Sequence, residues 1–143
     1  MTFEFKHLDR LGDHPRHFAF VLATFADQIA ADNYPAGRRV PDGNEQCWIV
    51  LDRTAQPVAF ATHYVPDSTG LMWLDLLFVD WDVRRQGIGA ELIALVGSKA
   101  REQGCNRVEW GTGVDNQAMN SLSRKADAAH IGNAYRLPLA GAA

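Results

Sequence analysis

The sequence predicts an α/β chain of the α+β type: a central mixed, mostly antiparallel sheet flanked by helices. Three observations carry this. Cys47 to Asp52, Pro57 to Val65 and Leu71 to Val79 are apolar segments joined by short polar turns, as an antiparallel meander requires. After Leu71 to Val79 come a glycine turn, an amphipathic stretch and a further apolar segment, Arg107 to Thr112. That order implies a right-handed crossover between parallel strands. Finally, no repeat, low-complexity tract or linker divides the 143 residues, so 1–143 is expected to be one domain.

Each element has its own signal. Thr2 to Leu8 alternates Phe3 and Phe5 against Glu4 and Lys6, a short first strand. Asp13 is placed to cap a helix with Pro15 in its first turn, and Phe18, Val21, Leu22, Phe25 and Ile29 recur at helical spacing. Ala31 to Gln46 is a Pro-, Gly- and Asn-containing connection that holds Arg38 and Arg39. Beyond the glycine turn, Ile88, Leu92, Leu95, Val96 and Ala100 mark a helix face, and Gly104 suits its end. Asn116 to Asp127 reads as another helix and Ala134 to Leu139 as a last short strand.

Composition removes several function classes. A net charge of -3 argues against general nucleic-acid binding, which favours a basic excess. No apolar run nears the roughly 20 residues of a membrane-spanning helix. The start, Met1 to Lys6, lacks the basic-then-apolar pattern of a signal peptide, so a cytoplasmic location is expected. Cys47 and Cys105 stand far apart beside predicted strands, and the five histidines show no zinc-binding spacing; no metal is expected. The sequence allows a homodimer.

Arg84-Arg85-Gln86-Gly87-Ile88-Gly89-Ala90 follows an apolar strand and opens a helix. The first N–H groups of a helix lack internal partners, and its dipole makes that end positive. Glycines here let several N–H groups point at one anion, so the turn is expected to cradle a phosphate with Arg84 and Arg85 at its rim; the alternative is a turn whose glycines merely let helix and strand pack closely. It is not a dinucleotide fingerprint, because Leu92 stands where the third glycine belongs. Nor is it a nucleotide P-loop, because Ala90 and Glu91 replace its Lys-Ser/Thr pair.

Arg84-x-x-Gly87-x-Gly89, within LDLLFVDWDVRRQGIGAELI, resembles the acetyl-CoA signature of the GNAT N-acetyltransferase superfamily. VEWGTGVDNQAMNSLSRKADA is similar to that family's next strand and helix, with Asn116 at the customary asparagine. The likeness covers nearly the whole chain and is specific from Asp75 to Asp127. It implies a sheet whose parallel strands, ending at Val79 and running from Arg107, begin as neighbours and then splay. It also implies acetyl-CoA as co-substrate, its pantetheine arm bonding to backbone groups of Leu77, Phe78 and Val79 and steadied by Asn116. The implied cofactor-binding set is thus Leu77, Phe78, Val79, Arg84, Arg85, Gln86, Gly87, Ile88, Gly89, Ala90 and Asn116.

The expected activity is transfer of an acetyl group from acetyl-CoA to a primary amine of a small molecule or peptide by direct attack. An N–H near Phe78 or Val79 would polarise the carbonyl, and holding the two reactants together would supply much of the rate. Asp75, the one charge in its apolar strand, matches an acidic residue that binds the amine or draws off its proton; the alternative is a salt-bridged or solvent-facing aspartate at the sheet's exposed end. Asn116, Asn120, Ser123 and Asp127 form a polar stripe opposite Met119, Leu122 and Ala126. Where the family commonly has a tyrosine that protonates the thiolate, this chain has Ser123, a far weaker acid. Asp75 and Ser123 are therefore the candidate catalytic residues. His63, on a strand that alternates around it, reads as a core or surface histidine. The competing function is a non-catalytic acyl-CoA-binding or sensing module. The acceptor is left open: the acidic balance favours a cationic amine, whereas Arg38 and Arg39 would suit a carboxylate.

Overall fold

The computed structural model describes residues 2–34, 37–111, 117–125, 128–131 and 134–139. Among the described residues seven strands form one sheet: β1 (Glu4–Leu8), β2 (Gln46–Leu51), β3 (Pro57–Tyr64), β4 (Leu71–Val79), β5 (Arg107–Gly111), β6 (Ala129–Ile131) and β7 (Ala134–Pro138). Their spatial order is β1-β2-β3-β4-β5-β7-β6. Only β4 and β5 are parallel; every other neighbouring pair is antiparallel. Helix α1 (Pro15–Ala30) follows a 3-10 turn, and α2 (Ile88–Glu102) and α3 (Gln117–Lys125) follow β4 and β5. The expected mixed sheet, its meander and its parallel pair are present; β6 had no counterpart in the sequence reading.

The helices divide between the two faces. Val21 and Phe25 of α1 pack on Ile49, Phe60 and Leu76. On the opposite face Leu92, Ile93 and Val96 of α2 pack on Val50, Ala61, Met72 and Val108, with Met119 and Leu122 of α3 beside them. Strands β2, β3 and β4 thus present alternate residues to two cores. Asp13 does not cap α1: it belongs to the 3-10 turn Leu11–Asp13, and His14 takes the cap position without a side-chain bond. Gly104 lies just past α2 with φ +79°, and the N–H of Cys105 returns to the Ala100 carbonyl at 2.8 Å.

A bulge interrupts β4. Thr62 pairs with Leu76 and His63 with Leu74, so Asp75 is an extra residue with no partner in β3. The insertion reverses the alternation of the strand: Met72 and Leu74 face α2, whereas Leu76 faces α1. Just before the bulge β4 also leaves β5. Their pairing covers only Leu71, Met72 and Trp73 against Arg107, Val108 and Glu109, while β4 runs on to Val79. A gap therefore opens between the two strands.

His63 lies in the core with 0% exposure, its Nε2 3.3 Å from His7 Nε2. The Nδ1 of His7 sits 3.2 Å from the Asp9 carboxylate. That contact makes Nδ1–H the donor of His7, so His63 Nε2–H donates to His7 and His63 Nδ1 is left as a buried lone pair. Burial, with His7 and Lys99 adding positive charge nearby, pushes the His63 pKa down to about 3. In the unfolded chain the ring protonates near 6.5. Stability should therefore be full above about pH 6.5 and fall by about 2 kcal/mol by pH 5, continuing downward toward pH 3. Urea unfolding between pH 7.5 and 5 measures this, and His63→Leu should flatten the profile; an equally steep profile in that variant would assign the effect elsewhere.

Candidate active site

The gap beside β4 and the turn after it are built by the same strand. Leu76 N–H donates to Thr62 Oγ1 at 3.1 Å and Asp80 N–H to the Val58 carbonyl at 2.8 Å, so these residues face β3. Backbone groups alternate from edge to edge, so Leu77 and Val79 face the gap. Phe78 pairs with Phe60 in the β3 ladder, and its backbone is directed away from the gap, unlike the expectation that grouped it with its neighbours.

The carbonyls along this open edge are held by side chains. Arg38 donates to the Asp75 carbonyl, Tyr34 Oη to that of Leu77 at 3.2 Å, and Arg84 Nε to that of Val79 at 3.1 Å. The N–H groups of Leu77 and Val79 share that edge. These two N–H groups are the donors that the edge offers to a carbonyl entering the gap.

The glycine turn has the backbone an anion cradle needs. Gly87 is the N-cap of α2 with φ +80°, and a Cβ there would meet nothing within 4 Å. Arg85, also left-handed at φ +66°, is strained for a residue with a side chain. The Ile88 side chain is buried in the core and fixes the helix start, while Arg84 to Gly87 and Ala90 are exposed. Two residues have roles the sequence did not suggest. Arg84 turns back onto the Val79 carbonyl with its guanidinium 5.0 Å from the Trp81 ring, so it latches the turn to β4. A Cβ on Gly89 would lie 2.9 Å from Leu122 Cδ2, so this glycine lets α2 and α3 approach closely.

Asp75 is buried at 5% exposure and is not free. Arg39 Nη2 lies 3.1 Å from its Oδ2 and 2.8 Å from Glu45 Oε2; Arg38 Nη2 lies 4.0 Å from Asp75 Oδ1. Burial raises the Asp75 pKa, and the two guanidiniums oppose the rise. Of the two readings open for Asp75, the salt-bridged one has the geometry. Arg38 and Arg39 meet carboxylates of this chain, and Glu45 in turn accepts from Gly43 N–H at 2.7 Å. The segment between α1 and β2 is thereby tied to the bulge. Tyr34 and Glu45 were missed by the sequence reading; two adjacent arginines in a connection and a lone aspartate in an apolar strand were its only traces.

Ser123 is fully buried. Its hydroxyl accepts from Trp110 Nε1 at 2.8 Å and donates to the Met119 carbonyl at 2.7 Å. Such a hydroxyl anchors α3 to β5; it does not lie on the solvated stripe, and the catalytic role expected of it has no support in this geometry. Asn116 and Asp127 lie outside the described residues. Cys47 and Cys105 are free and buried, and among the described residues no group of His, Cys, Asp and Glu is gathered to hold a metal. No helix among them is long and apolar enough to cross a membrane.

Ser123→Ala should lower stability by about 1–3 kcal/mol by stranding the buried Trp110 donor. Ser123→Tyr should cost more, because the fully buried position must repack to admit a ring. Thermal melts test both, and a tolerated tyrosine would mean that α3 leaves room beside the gap.

In sequence, residues 8–126 match the Acetyltransferase (GNAT) family. No curated protein matches the chain in sequence. Among solved structures, the fold is similar to an N-acetyltransferase from Staphylococcus aureus Mu50, at TM-score 0.76 and 16% identity, covering 96% of this chain and 99% of that one. Arabidopsis thaliana NAA60 in complex with a bisubstrate analogue gives TM-score 0.76 and 16% identity, over 98% and 99% of the two chains. The ribosomal-protein-S18-alanine N-acetyltransferase from Escherichia coli gives TM-score 0.70 and 16% identity, over 99% and 97%. At these identities the structures speak for the fold, and the sequence match speaks for the family. Over 119 of its 143 residues, from strand β1 into helix α3, the chain belongs to the Acetyltransferase (GNAT) family.

Proposed function

We propose that this acyltransferase moves an acetyl group from acetyl-CoA to a primary amine of a small molecule or peptide, by direct attack while both are bound. The observation that carries the reading is the gap beside β4, which opens next to the exposed glycine turn. Coenzyme A has a pyrophosphate and an extended amide-bearing arm, and this chain offers a helix N-terminus followed by an unpaired strand edge.

In this reading the N–H groups at the start of α2, with Arg85 beside them, hold the pyrophosphate. The edge of β4 holds the arm, and the Val79 or Leu77 N–H polarises the thioester carbonyl. Ion pairs to Asp75 and Glu45 fix the α1–β2 segment as one wall of the acceptor site. The pairing of Arg38 and Arg39 with internal carboxylates weakens the idea that they clamp an acceptor carboxylate. An amine bearing no carboxylate fits better.

Calorimetric titration with coenzyme A, dephospho-coenzyme A and ATP tests the cradle, and coenzyme A should bind tightest. Arg85→Gly should weaken coenzyme A binding by about three- to tenfold through loss of charge. The same change should raise stability by about 0.5 kcal/mol, because glycine accepts the left-handed backbone. Equal or tighter binding by the variant would move the cradle elsewhere.

Turnover is read separately as thiol released from acetyl-CoA with an aminoglycoside, a polyamine and a peptide with an N-terminal alanine. Release with at least one amine is expected. Binding of acetyl-CoA without turnover on any of them would favour the sensing module, the reading that burial of Ser123 supports.

A further inference from the structure

We propose that Tyr34 donates a hydrogen bond to the sulfur of the reacting thioester, the service that Ser123 is not placed to perform. The inference rests on the acetyl-CoA reading above and adds to it a residue from a different element.

The phenol stands where such a donor is needed. Its hydroxyl is 3.2 Å from the Leu77 carbonyl, which lies on the open edge of β4 where the arm would bind. A carbonyl oxygen accepts two hydrogen bonds, so Tyr34 and an amide of the arm can share it. In coenzyme A only two carbons separate the last amide nitrogen from the sulfur. The phenol has one O–H, so it donates to the sulfur by turning from the Leu77 carbonyl, which the arm's amide then occupies.

Tyr34 is also held. It is 9% exposed, its ring centroid is 6.0 Å from that of Phe25, and the Arg38 guanidinium is 5.6 Å from its ring. The Tyr34 N–H reaches the Gln28 carbonyl at 3.3 Å, which sets the phenol from the end of α1. By contrast Ser123 is turned inward between Trp110 and Met119.

The chemistry defines the role. The amine nitrogen bonds to the carbonyl carbon, the C–S bond breaks, and its electron pair goes to sulfur. The nitrogen gives up a proton to solvent, and the departing thiolate takes one from solvent. Burial pushes the Tyr34 pKa up to about 12, so the hydroxyl keeps its proton throughout. A thiol has a pKa of about 8.5, so proton transfer from this phenol would run uphill. Tyr34 acts as a fixed donor that lowers the energy of charge developing on sulfur, not as an acid that is consumed.

Tyr34→Phe keeps the ring and removes the donor. With the best amine of the panel, kcat should fall about ten- to a hundredfold. The KM for acetyl-CoA and the calorimetric Kd for coenzyme A should stay within about twofold, as expected when a group acts in the transition state. Ser123→Ala, assayed in parallel below its melting temperature, should keep kcat within about threefold. An unchanged kcat in Tyr34→Phe would overturn the proposal, and so would a loss matched by weaker coenzyme A binding or by unfolding. If the wild type releases no thiol with any amine, the acetyl-transfer reading itself falls and takes this one with it.

Discussion

One extra residue in β4 sets the geometry of this protein. Asp75 has no partner across the sheet, and there the strand, its pairing with β5 ended at Trp73, changes which core its side chains enter. A bulge with an apolar residue would bury backbone polar groups without compensation. Here the residue is an aspartate, and its carboxylate and carbonyl draw Arg39 and Arg38 from the segment after α1. The distortion that opens the gap is thus stabilised by the segment that walls it. Glu45 shares Arg39 with Asp75, so each carboxylate offsets part of the desolvation cost of the other's partner.

The consequence reaches along the strand. A parting of two strands leaves a row of unpaired amides, and such a row offers acceptors as readily as donors. In this chain three side chains from two segments, Arg38 and Tyr34 after α1 and Arg84 after β4, take the carbonyls of residues 75, 77 and 79. One of them, Arg84, belongs to the glycine turn, so the same bond that covers Val79 aims the start of α2 along the edge. Strand edge and helix start are thereby joined into one surface.

Much of this was legible in the sequence because it depends on local chemistry. The meander, the parallel pair, the glycine turn and the bounds of β4 follow from apolar runs, turn residues and a helix start, which act over a few residues. The bulge was not legible: it is a mismatch between two strands, and neither strand announces it alone. Arg38 and Arg39 were visible as charges, but Asp75, which both meet, lies 37 and 36 residues away, so only the fold decides between an internal and an external carboxylate. Ser123 was misplaced for a related reason. Helical spacing puts it with Asn116 and Asn120, but Trp110 on β5 supplies a buried donor that turns that position into core. Gly89 carries two signals in one residue, anion approach and helix contact, and the motif alone shows only the first.

The two glycines of the turn therefore divide their work. Gly87 takes the left-handed backbone that starts α2, while the missing side chain of Gly89 admits Leu122 of α3. Because Ser123 ties α3 to Trp110 on β5, the contact at Gly89 closes a loop of packing from β4 through α2 and α3 to β5. The two strands that part are thus held by the helices that follow each of them. A gap braced in this way keeps its width without a ligand inside, and a preformed gap spares binding the cost of opening it. Bracing also explains why the position of Ser123 is more valuable to this chain as an internal anchor than as a group facing the reaction. The phenol nearest the open edge then comes from the opposite wall, at Tyr34.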